Sequence, residues 1–176
     1  MTGAALSGPG PAVPLAQLLA AHGLPPPPAR VTARGRYVPV VVDGRIACLS
    51  AHGPVGPDGV TFTHQGQLGP DLDVEAGRAA ARACAIALLA SLEAAVGLRQ
   101  VTRLHRMTGF VWAAATFTEH AAVLDAASEV LHLVLGERGV HARSAVGAAS
   151  LPFGIPVVLE LTAGIDDTAQ ADRGER

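Results

Sequence analysis

The stretch "DVEAGRAAARACAIALLASLEAAVG", from Asp73 to Gly97, constrains this chain more than any other. Ala85, Leu88, Leu89, Leu92 and Val96 recur at helical spacing, so one face of a long helix is apolar. Asp73 is placed to cap its N-terminus, and Glu75 lies in the first turn, where the helix dipole favours an anion. Gly97 offers the C-terminal stop. The buried face is built largely from alanine, which lets a helix lie close to a sheet. The rest of the sequence must therefore supply that sheet.

"RYVPVVVDGRIACLSAHGPV" does so first. Two β-branched runs flank Asp43-Gly44, a preferred pair for a type I′ turn, and predict strands near Arg36–Val42 and Arg45–Ala51. "VTFTHQG" alternates like a third strand that closes a meander. "VTRLHRMTGFVWAA" has no clean period, yet is β-branched and aromatic enough for a strand. Thr116 and Glu119 have capping-box spacing ahead of a second amphipathic helix that ends at Gly136. Strands near Arg143–Ala149 and Val157–Thr162 follow, joined by a Pro/Gly turn. The order β-β-β-α-β-α-β-β, with both helices free to cover one sheet face, is an α+β sandwich.

Residues 15–163 read as one domain. It opens with a short helix, "LAQLLAAHG", and a stiff "PPPP" connector at Pro25–Pro28. Residues 1–14 and 164–176 read as loose tails. The chain is 49% hydrophobic with a mean hydropathy of +0.35, which excludes a disordered polar chain. No apolar run is long enough to span a bilayer, and no basic n-region precedes an apolar core. A cytoplasmic location with no membrane partner is expected.

All 13 basic residues are arginine, which the Ala/Gly/Pro richness explains as a coding bias. With no lysine, Schiff-base catalysis is excluded. A net charge of −2, no basic run and 3% aromatics argue against a nucleic-acid partner. Cys48 and Cys84 sit in no metal or redox spacing and read as small buried hydrophobes. The histidines form no ligand pattern, so neither metal nor cofactor is expected.

Together, "YVPVVVDGRIACLSAHGPV", the alanine-rich helix and "HARSAV…LP…LEL" resemble the Rid family of reactive intermediate deaminases, also called YjgF-like or endoribonuclease L-PSP proteins. The likeness spans Tyr37 to Ala163. It implies a chorismate-mutase-like fold and a homotrimer, with three sheets forming a central barrel and ligand clefts between subunits. It also implies a cofactor-independent enamine/imine deaminase that turns a small 2-imino acid into a 2-keto acid and ammonia. Arg143 aligns with the arginine that clamps the substrate carboxylate, Tyr37 with the tyrosine of the first strand, and Ser50 with the serine after the hairpin. Three departures bear on the chemistry. The family's S-G-Q reads "SAH" here, so Ala51 and His52 replace glycine and glutamine. Ala145 replaces a cysteine common two places after the arginine, and Val158 stands where hydrolytic members carry a water-holding acid.

Imine hydrolysis needs a carboxylate anchor, a proton for the nitrogen and a positioned water. Arg143 suits the first, since a guanidinium meets a carboxylate bidentately; its plainer use is a salt bridge to Glu160 or another acid. His52 is the candidate proton donor, with a strand-end hydrogen bond as its plainer role. His141 rims the cleft or sits in a solvated turn. Glu160 lies about 7 Å beyond Val158 along its strand and is a candidate acid or a counter-charge for Arg103, Arg106 or Arg143. Tyr37 and Ser50 offer hydroxyls, Phe153 offers apolar cover, and Phe110 and Trp112 read as core. Two other functions remain open: a non-hydrolytic trimeric binder of a carboxylate ligand, with a regulatory role, or a specialised isomerase or cyclase in the same cleft.

Overall fold

The computed structural model describes residues 13–166. After a short helix α1 (Leu15–Ala21), a hairpin of β1 (Val40–Asp43) and β2 (Ile46–His52) leads to α2 (Val74–Val96). Strand β3 (Val101–Trp112), helix α3 (His120–Leu135), β4 (Ala142–Ala148) and β5 (Val157–Ile165) follow. They form one five-stranded sheet in the order β1-β2-β5-β3-β4, in which only β3 and β4 run parallel. The parallel pair is possible because α3 carries the chain back across the sheet.

The expected caps form at α2. Asp73 accepts from the Ala76 N–H at 2.8 Å, and Gly97 ends the helix at φ 81°. Both helices cover one sheet face. Ala80, Ala81, Cys84, Ala85, Leu88 and Leu92 of α2 are buried there, as are Leu124, Ala127 and Leu131 of α3. Against them lie Ala47 and Leu49 of β2, Met107 and Val111 of β3, and Leu159 and Leu161 of β5. At Gly109 a Cβ would press on Leu124 and reach within 3.0 Å of Leu159 Cδ2, so glycine sets how closely α3 sits. By length and apolarity alone α2 resembles a membrane span, but half of its most apolar stretch is packed inside.

Several expectations change. Asp43 pairs with Ile46, so the turn centres on Gly44-Arg45, one residue later than Asp43-Gly44 implied. Gly44 has φ 53° while Arg45 does not have positive φ, the pattern of a type II′ turn. "VTFTHQG" is a loop with one bridge, Val55 to Phe62, rather than a strand. The Asp58 carboxylate accepts from the N–H groups of Val60 and Thr61 and from the Thr61 hydroxyl, so it satisfies backbone donors that a ladder would otherwise use. The Thr116–Glu119 capping box is not made: Glu119 precedes α3 without a side-chain cap. Cys84 is buried as expected, but Cys48 is exposed. Strand β5 runs two residues past Ala163, and Ile165 is buried, so the fold extends beyond the expected boundary. Of the two expected tails, residues 1–12 and 167–176 lie outside the described residues.

Among the described residues, the sheet's other face carries no helix. Val41, Ile46 and Val146 are exposed there, beside Cys48, Arg106, Thr108, Glu160 and Thr162.

Candidate functional site

At the end of the sheet where β2 stops and β5 starts, the chain forms a half-open cavity of about 190 Å³. Its wall joins the lead-in before β1 (Arg34, Tyr37), the end of β2 (His52), the loop carrying Phe62, the β4–β5 turn (Phe153) and the start of β5 (Val158). Three residues singled out by the sequence, Tyr37, His52 and Phe153, therefore meet here, with Val158 beside them.

Phe153 has φ 61° and ψ 10°, the left-handed region that costs a bulky residue roughly 1–2 kcal/mol. Gln65 Nε2 holds it by donating to the Phe153 carbonyl at 2.9 Å, and the Gly66 N–H donates to the Gly154 carbonyl at 2.8 Å. The strained backbone leaves Phe153 54% exposed, with its ring 5.4 Å from that of Phe62. Over this pair lies the Arg34 guanidinium, 4.3 Å from the Phe62 centroid and 5.2 Å from that of Phe153. A cation above aromatic faces gains about 0.5–2 kcal/mol. Arg34 also donates from Nη2 to the Val60 carbonyl, and its backbone N–H donates to the Tyr37 hydroxyl at 3.4 Å. Among the described residues no acidic side chain lines the cavity; Arg34 is its cation, and the Asp58 carboxylate lies within electrostatic reach of it.

His52 is 4% exposed and turned into the core. Its Nδ1 lies 2.6 Å from the Ser50 carbonyl, which can only accept, so Nδ1 carries the proton. Nε2 then accepts from the hydroxyl of Ser91 on α2 at 2.7 Å. Burial pushes its pKa below the ordinary value, against an opposing pull from the Ser50 carbonyl. A neutral imidazole with both nitrogens engaged is poorly placed to deliver a proton. The cause is a bulge: Leu49 pairs with Leu161 but His52 with Leu159, so one extra residue in β2 rotates His52 inward.

The remaining candidates lie elsewhere. Arg143 pairs with Met107 on the helix side of the sheet edge, and it reaches Asp125 Oδ1 at 2.8 Å. It also donates to Ser128 Oγ at 3.1 Å and to the Ala121 carbonyl. Its carboxylate partner is thus Asp125 of α3, not Glu160. His141 lines the same groove, with Nδ1 2.6 Å from the Gly139 carbonyl and Nε2 3.3 Å from Ser128 Oγ. Ser50 and Glu160 line a groove on the uncovered face. The Ser50 hydroxyl donates to the Val38 carbonyl at 2.7 Å, and Arg106, one of Glu160's expected partners, donates to Ser144 Oγ instead. Ala145 is exposed on edge strand β4, opposite Gly109. Arg34 was missed: among 13 arginines, only its place three residues before Tyr37 sets it apart. Among the described residues, no group of three or more His, Cys, Asp or Glu side chains is placed to hold a metal.

A five-stranded mixed sheet, two helices on one face and a pocket at the sheet's end define an α+β protein of the chorismate-mutase-like type. Residues 16–164 match the model of the family described as "YjgF/chorismate mutase-like, putative endoribonuclease", and the chain belongs to it. Protein TCP17 of Trypanosoma cruzi is 40% identical over 135 residues, covering 76% of this chain and 83% of its own. The crystal structure of Atu1372 from Agrobacterium tumefaciens, a protein of unknown function, is 34% identical with a TM-score of 0.79, covering 86% of this chain and 92% of its own. A "putative endoribonuclease" from Shewanella oneidensis is 31% identical with the same TM-score, covering 86% and 99%.

Proposed function

We propose that this protein is a homotrimeric YjgF-family member that binds a small carboxylate in the Arg34 pocket, without a side chain equipped to drive hydrolysis. The observation that carries the reading is the guanidinium of Arg34 over Phe62 and Phe153, beside the Tyr37 hydroxyl, in a cavity lined by no acidic side chain. A guanidinium keeps its proton at any working pH and meets a carboxylate through parallel N–H donors. Arg143, the anchor expected from the resemblance, has its donors turned to Asp125, Ser128 and Ala121. Trimer formation would bury the uncovered sheet face with Val41, Ile46 and Val146, which a lone subunit leaves in water.

Hydrolysis of an enamine or imine is the second reading, favoured by Tyr37. Its hydroxyl, in a residue 50% exposed, accepts only a long bond from the Arg34 N–H and keeps its own proton to offer an imine nitrogen. With Val158 in place of an acid, water would attack without a general base, which forgoes roughly 10²–10⁴-fold in rate.

Two measurements decide between them. Calorimetric titration with 2-ketobutyrate is expected to show binding that Arg34→Gln abolishes and Arg143→Ala retains. Ammonia release from 2-iminobutyrate is expected to equal the no-protein background. Turnover above background that falls in Tyr37→Phe would establish the second reading. Binding lost in Arg143→Ala and kept in Arg34→Gln would overturn the assignment of the anchor.

A further inference from the structure

We infer that the Arg34 pocket selects carboxylates with an aromatic side chain over short aliphatic ones; this rests on the pocket being the carboxylate site. The size of the cavity is the first reason. An apolar cavity of about 150 Å³ accepts a benzene ring, and this one measures about 190 Å³. A four-carbon acid anchored at Arg34 places only a short ethyl group in that space. An aryl group on the same acid would fill it.

The chemistry of the walls is the second. Val55, Phe62, Phe153, Ile155 and Val158 supply apolar and aromatic surface, and no carboxylate is among the lining residues, Asp58 acting on Arg34 from outside that lining. Phe62 and Phe153 are tilted by 34°, an open arrangement against which a third ring can pack face or edge. Because Arg34 already lies over these rings, a carboxylate that reaches it brings its own carbon body alongside them.

Third, the backbone is strained to present Phe153. Phe153 is the one non-glycine residue with positive φ among the described residues. It sits between Pro152 and Gly154, and Gln65 pins its carbonyl. The result of that strain is a half-exposed phenylalanine lining the cavity beside Phe62 and Arg34. Strain held in place by surrounding structure, with an apolar side chain delivered to a pocket, is a feature of ligand-contacting turns.

Calorimetric titration of the full chain with phenylpyruvate and 2-ketobutyrate, which share the 2-keto acid head, tests this. Phenylpyruvate is expected to bind at least tenfold more tightly. Phe153→Leu is expected to bring the two affinities within about threefold, with the larger loss falling on phenylpyruvate, and Phe62→Leu to do the same if Phe153→Leu alters the fold. Equal wild-type affinities would overturn aromatic selection and leave the carboxylate site standing. A preference that survives both phenylalanine substitutions would overturn the role of the ring pair. Failure of both acids to bind, or binding indifferent to Arg34→Gln, would overturn the site itself.

Discussion

Replacing His52 with alanine distinguishes a structural histidine from a catalytic one. The substitution removes two hydrogen bonds from the interior, to the Ser50 carbonyl at 2.6 Å and from the Ser91 hydroxyl at 2.7 Å. Ser91 is 7% exposed, so water does not readily replace the lost partner. Each buried polar group left unpaired costs about 1–3 kcal/mol. Ser91 is buried and the Ser50 carbonyl only partly so, which gives a loss of about 3 kcal/mol, and for a chain of this size roughly 2–4 °C of Tm follows each kcal/mol. A fall in Tm of about 6–12 °C is therefore expected by circular dichroism. His52→Gln, which keeps a donor and an acceptor, should lose less. Well below the lowered Tm, the affinity for 2-ketobutyrate should match the wild type within a factor of about three. A His52→Ala protein that melts within 2 °C of wild type, yet loses binding or turnover, would refute the buried-pair account and return His52 to the chemistry.

The same burial makes stability pH-dependent. The unfolded chain takes up a proton on His52 near pH 6.5, whereas folding depresses that pKa, so the stabilisation is complete above 6.5 and is lost as pH falls through the folded value. His64, also lowered by burial, acts in the same direction; urea denaturation between pH 7.5 and 5 should show a decline that is shallower in His52→Gln. Gly109→Ala should destabilise by about 1–3 kcal/mol in urea, because the added methyl overpacks Leu124 and Leu159. Asp125→Asn should cost less than about 1 kcal/mol, since its ion pair with Arg143 is partly exposed, and should leave 2-ketobutyrate binding unchanged. A gain in affinity that Arg143→Ala then cancels would show Asp125 to be holding the true anchor away from the ligand.

Local signals carried much of the fold. The caps of α2, the hairpin and the glycine stops of both helices were legible because each rests on a few neighbouring residues and a short-range hydrogen bond. β3 resisted reading for a reason now visible. Its register shifts after Val101 and again after Leu104, so its buried residues fall at Val101, Leu104 and Met107 before true alternation resumes at Gly109 and Val111.

By itself, the sequence determined that an alanine-faced helix would lie on a sheet, that the chain would be α+β, and which residues held chemical potential. Tertiary structure decided where that potential went. Strict alternation puts His52 on the open face with Cys48 and Ser50; one extra residue in β2 turns it to Ser91, 39 positions away. Arg143 found its acid on α3 because edge strand β4 lies beside that helix, and nothing in "HARSAVG" encodes the distance to Asp125. Arg34 became the pocket's cation only when two separate loops brought Val60, Phe62 and Phe153 around it. Periodicity and capping act over a turn or two of chain, whereas a side chain's partner is set by packing between segments far apart in sequence.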